Sequence, residues 1–249
     1  MNVGMCWSFE VSLAFGVAEL VLCLVLYLRG QPGRSAVPLA LTITLMELLE
    51  AVMWLHLPSS SADTCPRTNQ ISLILGGILL WAQPLCSAFW GYSTSTKNKG
   101  IFWCLLVLCL LQFVAALGHV PFALLRSEGF SQEGYQSTLH NIGESTCAAV
   151  GPGGHLLWKF ASRIELLTIL PNQFSYFLLF FVPLVLWYRP FSLGGVLGVL
   201  MFGLLAVTGL YLQTMEAISV FCWQGIVLHL WVLMHPFLFS KGKDLKKQQ

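Results

Sequence analysis

The chain has 249 residues, 56% of them hydrophobic and 10% charged, with a formal net charge of +2 and a mean hydropathy of +0.74. A soluble domain carries about a quarter charged residues, so a water-facing surface cannot be built around this much apolar material, and lipid must cover most of it. No basic run is interleaved with aromatics, which argues against a nucleic-acid surface, and no stretch outside the apolar blocks is long enough for a separate soluble domain.

The start of the chain, Met1 to Glu10, lacks the basic region of a cleavable signal peptide, so the first apolar block reads as a retained span. A hydrocarbon core about 30 Å thick needs roughly 20 mostly apolar residues at helical rise. Seven blocks qualify in chain order: Val11–Leu28, Ala36–Leu57, Gln70–Phe89, Ile101–Leu117, Leu166–Trp187, Gly194–Leu212 and Ile218–Phe239. Backbone groups in hydrocarbon must be satisfied within the segment, so each block is expected to be helical. The expected class is therefore all-α: a polytopic membrane protein, one bundle of seven transmembrane helices over residues 1–240 with a basic tail at 241–249. The short turns near Pro190 and Glu216 leave a six-span or re-entrant arrangement as the alternative. Pro171 and Pro183 are expected to kink the fifth span. Gly194 and Gly198 in the sixth permit close helix packing.

Lys and Arg set the expected orientation. One side collects Arg29, Arg34, Lys97, Lys99, Arg189, Lys241, Lys243, Lys246 and Lys247, and the other holds Arg67, Arg126, Lys159 and Arg163 mixed with acidic residues. Nine against four places the C-terminus in the cytoplasm and the N-terminus outside or in a lumen. The ending Lys246-Lys247-Gln248-Gln249 also matches the dilysine pattern for retrieval to the endoplasmic reticulum, a signal that must face the cytosol. Lys-rich tails also follow last spans for charge reasons alone.

One outer loop, residues 126–165, is long and carries Gly151-Pro152-Gly153-Gly154. His155 to Ile164 is amphipathic, with Leu156, Leu157, Trp158 and Phe160 beside Lys159 and Arg163. It is expected to lie on the membrane surface as an interfacial helix or to extend the fifth span. No internal repeat of the kind that marks many transporters is evident.

Of eight cysteines, Cys23, Cys86, Cys104, Cys109 and Cys222 fall in spans, where an unpaired Cys is a small apolar packing residue. Cys6, Cys65 and Cys147 fall on the outer side, which is oxidising in the secretory pathway. A Cys65–Cys147 bridge would tie the loop after the second span to the long loop, with Cys6 an equal competitor for either partner. No CxxC pair exists, so no metal site is expected among them.

Ionisable groups inside a bilayer are costly and mark functional sites by default. Glu47 and Glu50 lie one helical turn apart on one face, and Trp54 continues that stripe. Glu19, Gln83, Gln173 and Gln224, in the first, third, fifth and seventh spans, could face the same interior. Two carboxyls so close in a low dielectric do not both ionise easily, an arrangement suited to proton exchange or cation coordination. The competing reading is polar glue between helices. His56, His119, His140 and His155 gather at the outer side with Glu10, Gln213 and Glu216, which suggests a pocket open to the lumen or exterior. These histidines could ligate zinc or haem, but the commoner role at an interface is solvated surface. His229 lies mid-span in the seventh block, and His235, six residues later, is not on its face.

Seven spans invite family comparisons. A retinal protein needs a Lys in its last span, and none is there. The Asp-Arg-Tyr and Asn-Pro-x-x-Tyr hallmarks of seven-span receptors are absent, and so is the His-x-x-x-His of the zinc-dependent lipid hydrolases related to alkaline ceramidases. Met46-Glu47 with Trp54, then Gly153-Gly154-His155-Leu156 with Trp158, then Glu216-Ala217-Ile218-Ser219 with Trp223 resembles an uncharacterised seven-helix family of protists and large DNA viruses. That resemblance covers most of the chain and implies a fold without an activity. The sequence names no activity; the expected function is a multi-pass membrane protein, read as a proton- or cation-linked transporter with an outward- or lumen-facing polar pocket, and a small ion or metabolite is a candidate ligand. The alternatives are a membrane-embedded lipid-modifying enzyme and an accessory subunit of a membrane complex. Membrane lipid is the expected partner, and no nucleic acid is.

Overall fold

The computed structural model describes residues 8–30, 33–58, 65–95, 98–118, 120–121, 142–143, 146–151, 154–161, 173–188 and 229–230. The first four apolar blocks form helices α1 (Phe9–Leu28), α2 (Gly33–Leu55), α3 (Arg67–Thr94) and α4 (Lys99–Leu117), each long and apolar enough to cross a membrane. Helix α5 (Gln173–Tyr188) covers the C-terminal part of the fifth block and runs through Pro183, while Pro171 lies outside the described residues. The sixth block, including Gly194 and Gly198, lies outside the described residues, as does the seventh except for a helical fragment at 229–230.

The helices are patterned inside out relative to a soluble bundle. The buried positions of α1 are Ser12, Gly16, Glu19, Cys23 and Leu26, a stripe at alternating spacings of four and three. Its outward face carries Leu13, Val17, Leu20, Val21, Leu24 and Leu28. On α4 only Phe102, Cys109 and Gln112 are buried, and Trp103, Leu108, Leu111 and Val114 face outward. Soluble monomers do not carry contiguous apolar faces of that extent, whereas lipid-facing helices require them. Helices α2 and α3 form the centre. Helix α1 packs on α2, and α4 and α5 pack on α3.

Two local features set the α1–α2 geometry. Gly30, at φ +78°, takes the left-handed conformation that ends α1, and its carbonyl accepts the Arg34 amide at 2.8 Å. At Gly16 the helices are so close that a Cβ would lie 2.6 Å from Leu48 Cδ2.

The all-α expectation needs a correction in the long loop. Three strands, β1 (Ile142–Gly143), β2 (Cys147–Val150) and β3 (Leu156–Ala161), form a sheet in the order β1-β3-β2. The β2–β3 pair is an antiparallel hairpin with Ala148 opposite Trp158, and β1 runs parallel to β3 with Ile142 opposite Phe160. The segment expected as an interfacial helix or an extension of the fifth span is thus a strand through Ala161. Its turn places Gly154 at φ +82°, with the Gly151 amide donating to the His155 carbonyl at 2.9 Å. The ladder, closed by a Gly-rich turn, outweighs the helical pattern of these few residues.

The hairpin docks on α2 and α3. Trp158, Leu156 and Ala148 are fully buried with Met46, Met53 and Leu73, and the Trp158 ring fills the space where a Cβ on Gly76 would stand. A second apolar cluster unites Cys23 and Leu26 of α1, Ala36, Leu39, Ala40 and Ile43 of α2, Trp90 of α3, and Tyr176 and Phe180 of α5. Because α2 joins the first cluster through residues 46–53 and the second through 36–43, the bundle has a hairpin-capped end and an opposite apolar end.

Candidate functional site

Helices α1 and α2 carry a row of buried carboxyls. Glu19 on α1 is 0% exposed, and Glu47 and Glu50 on α2 are 2% and 1% exposed. Glu19 sits within Coulombic reach of Glu47, and Glu47 within reach of Glu50. Both oxygens of Glu19, and Oε1 of Glu47 and of Glu50, have no hydrogen-bond partner among the described residues. Buried polar groups are as a rule paired, so carboxyl oxygens on two helices without a hydrogen-bond partner among the described residues stand out. Among the described residues no group of three His, Cys, Asp or Glu is arranged to hold a metal ion.

The remaining polar residues expected here divide. Gln83 on α3 is buried, donating to Met46 Sδ at 2.9 Å and accepting the Tyr176 hydroxyl of α5. Trp54 is half-buried beside the hairpin cluster, and its indole N–H has no partner among the described residues. Gln173 begins α5. Gln224 lies outside the described residues, as do Lys246, Lys247, Cys6, His119, His140, Gln213, Glu216 and His235. Glu10 is exposed and accepts the Ser8 hydroxyl at 2.5 Å. His56 donates from Nδ1 to the Val52 carbonyl of its own helix at 2.9 Å.

Three partners escaped sequence reasoning. His229 is 0% exposed, with Nδ1 4.0 Å from Glu19 Oε1 and Nε2 3.2 Å from Thr44 Oγ1. Cys23 Sγ lies 3.5 Å from both that nitrogen and that hydroxyl. Glu19 and Cys23 share a face of α1 at i, i+4, which the sequence does display. Their meeting with Thr44 and His229 is long-range, and no local pattern announces it.

The capped end is fastened twice. Cys65 and Cys147 form a disulfide, one of the two pairings left open to Cys147, and it joins the start of α3 to β2. Four residues on, the buried Asn69 side chain accepts the Ala148 amide at 2.8 Å and donates to the Ala148 carbonyl at 3.0 Å and the His56 carbonyl at 3.1 Å. Strand β2 is an edge of its sheet, and this amide takes the place of a neighbouring strand at Ala148.

Comparison with known proteins adds a relation without an activity. No family model and no solved structure matches the chain. An uncharacterised protein of Acanthamoeba polyphaga mimivirus is 28% identical over 243 residues, covering 93% of this chain and 95% of that one. The expected kinship with proteins of large DNA viruses is met to that extent, in sequence and over nearly the whole length of both chains.

Proposed function

We propose that this protein is a multi-pass membrane transporter, linked to a proton or small cation, whose binding row is Glu50, Glu47 and Glu19. One observation carries the reading: three carboxyls are buried inside helices long and apolar enough to cross a membrane, each with at least one oxygen that has no hydrogen-bond partner among the described residues. An intramembrane carboxyl costs several kcal/mol on insertion scales, and an unpaired one recovers little of that by holding helices together. In this reading the chain crosses seven times. Its hairpin-capped end faces the lumen or exterior, its C-terminus faces the cytoplasm, and Lys246 and Lys247 retrieve it to the endoplasmic reticulum.

The test is reconstitution of the full chain in vesicles with an imposed pH gradient and a trapped pH-sensitive dye. Glu47→Gln and Glu50→Gln keep the size and hydrogen-bonding capacity and remove the ionisable proton. Both variants should stay folded while flux falls sharply. Normal flux in both variants would end the reading.

A second reading has its own support. Gln83 with Tyr176, Ser87 with the Phe180 carbonyl at 3.0 Å, and Gln112 with Ser175 at 3.0 Å all tie α3 or α4 to α5. Such bonds are polar glue and suit an accessory subunit. That role predicts a co-purifying partner and no flux.

A further inference from the structure

Met46, Glu50 and Met53 follow one another on α2 at spacings of four and three, so they share one face of the helix. The two methionines are fully buried in a cluster with Ala148 of β2 and with Leu156 and Trp158 of β3. Leu49 and Trp54, the residues just before and one turn after Glu50, pack against the same cluster. Glu50 is thus flanked along α2 by residues that the sheet covers, and it is 1% exposed.

The strands are fastened to one another and to the helices by different means. Strand β3 bonds to β1 on one side and to β2 on the other. The seat on the bundle is made of side chains. The Trp158 ring fills the notch at Gly76, where a Cβ would lie 2.8 Å from its Cη2, and Asn69 holds Ala148. One covalent bond, Cys65–Cys147, joins β2 to the start of α3. The strands can therefore lift off α2 together with their ladders intact, and the disulfide limits that motion.

We propose that the sheet is a lid over Glu50 and that the Cys65–Cys147 bond is its latch, released by a dithiol reductant. Cys65 is half-buried and Cys147 fully buried, so the reachable sulfur is that of Cys65. A thiolate of the reductant attacks Cys65 Sγ, the bond between the cysteines breaks, and Cys147 leaves as a thiolate that takes up a proton. The second thiol of the reductant, as its thiolate, then attacks the reductant sulfur of the mixed disulfide. Cys65 is freed and protonated in turn. The reductant ends as a cyclic disulfide, and two electrons have passed to the two cysteines. The lid is then held by Asn69 and the Trp158 seat, both of which can be remade on closing. This deepens the transport reading, on which it rests for its purpose, by naming a gate at one end of the carboxyl row. The covering of Glu50 stands on geometry alone.

Chemical labelling of the full chain in lipid vesicles tests the lid without any measurement of flux. A water-soluble carbodiimide with an amine converts accessible carboxyls to amides, and peptide mass spectrometry reads Glu50 against the exposed Glu10. The oxidised protein is compared with protein reduced by dithiothreitol that is then washed away. Reduction should raise labelling at Glu50 about tenfold or more, where local opening controls access, and leave Glu10 unchanged. Gly76→Ala, which favours the helix but crowds the Trp158 ring, should raise it with the disulfide intact. Trp158→Phe serves the same purpose should Gly76→Ala not fold. Equal labelling of Glu50 in oxidised and fully reduced protein would overturn the latch, and so would a reduction that exposes Glu19 as much as Glu50. Labelling indifferent to the ring variants would overturn the lid. Labelling governed by the disulfide in a protein without flux would uphold the lid and reject the transport reading. Flux lost in Glu50→Gln, with labelling indifferent to the disulfide, would uphold the transport reading and overturn the latch.

Discussion

Replacing Asn69 by Ala isolates the fastening of the hairpin to the bundle. The side chain makes three hydrogen bonds to backbone groups, two of them at Ala148, in a site with no water-exposed surface. A typical hydrogen bond contributes about 1 kcal/mol net, and a buried donor left unsatisfied costs about 1–3 kcal/mol. The Ala148 N–H points to the open edge of β2 and has no second acceptor among the described partners, so the loss should come to about 3 kcal/mol. Hydrogen exchange read at the Ala148 amide is the direct assay. A 3 kcal/mol drop in local opening energy speeds exchange by about a hundredfold where local opening controls it. Asn69→Asp should do no better, because it sets a second oxygen against the carbonyls of His56 and Ala148. Exchange at Ala148 unchanged in Asn69→Ala, with an unchanged unfolding midpoint, would refute the idea that this amide substitutes for a strand.

The same end offers a covalent test. The disulfide spans 82 residues of sequence, for which chain entropy sets a ceiling of about 4–5 kcal/mol. Cys65→Ser with Cys147→Ser should lower the unfolding midpoint and be non-additive with Asn69→Ala, and finding both thiols free in protein from an oxidising compartment would reject the bond. Gly16→Ala should cost about 1–3 kcal/mol by overpacking against Leu48 and be relieved by Leu48→Ala, so equal stability of all three variants in lipid would contradict the close approach. A single cysteine placed near Lys97 should react with an impermeant reagent only from the cytoplasmic side. Reaction from outside would invert the orientation.

Much of the helical frame was legible because a bilayer imposes a length on apolar blocks. Val11–Leu28 became Phe9–Leu28 and Ile101–Leu117 became Lys99–Leu117, within two residues at each end. Helix α3 runs from Arg67 to Thr94 where Gln70–Phe89 was expected, because Ser93 and Thr94 both give their hydroxyl protons to the Trp90 carbonyl and the last turn closes on itself. The hairpin was not read. Leu156, Leu157 and Trp158 are buried consecutively, so the strand shows no period of two, and what holds it is a sequence-distant β2 edge with Asn69. A local signal did exist: Gly151-Pro152-Gly153-Gly154 between two short apolar runs is a turn cluster. For the site, Glu19, Glu47, Glu50 and Gln83 were visible as polar residues in apolar blocks. The roles of Thr44 and His229 were not, since a hydroxyl that bonds its own helix and a lone histidine acquire meaning only once two helices meet.

The Cys65–Cys147 bond also carries an arithmetic that owes nothing to charge. A disulfide forms between two points in one aqueous compartment, so a chain threaded through a bilayer must cross it an even number of times between them. Helices α3 and α4 lie between the two cysteines, and each is long and apolar enough to supply one crossing. A solitary extra span anywhere in residues 118–146 would leave Cys147 across the membrane from Cys65 and bar the bond. Any threading of this chain, in either orientation, has to satisfy that parity.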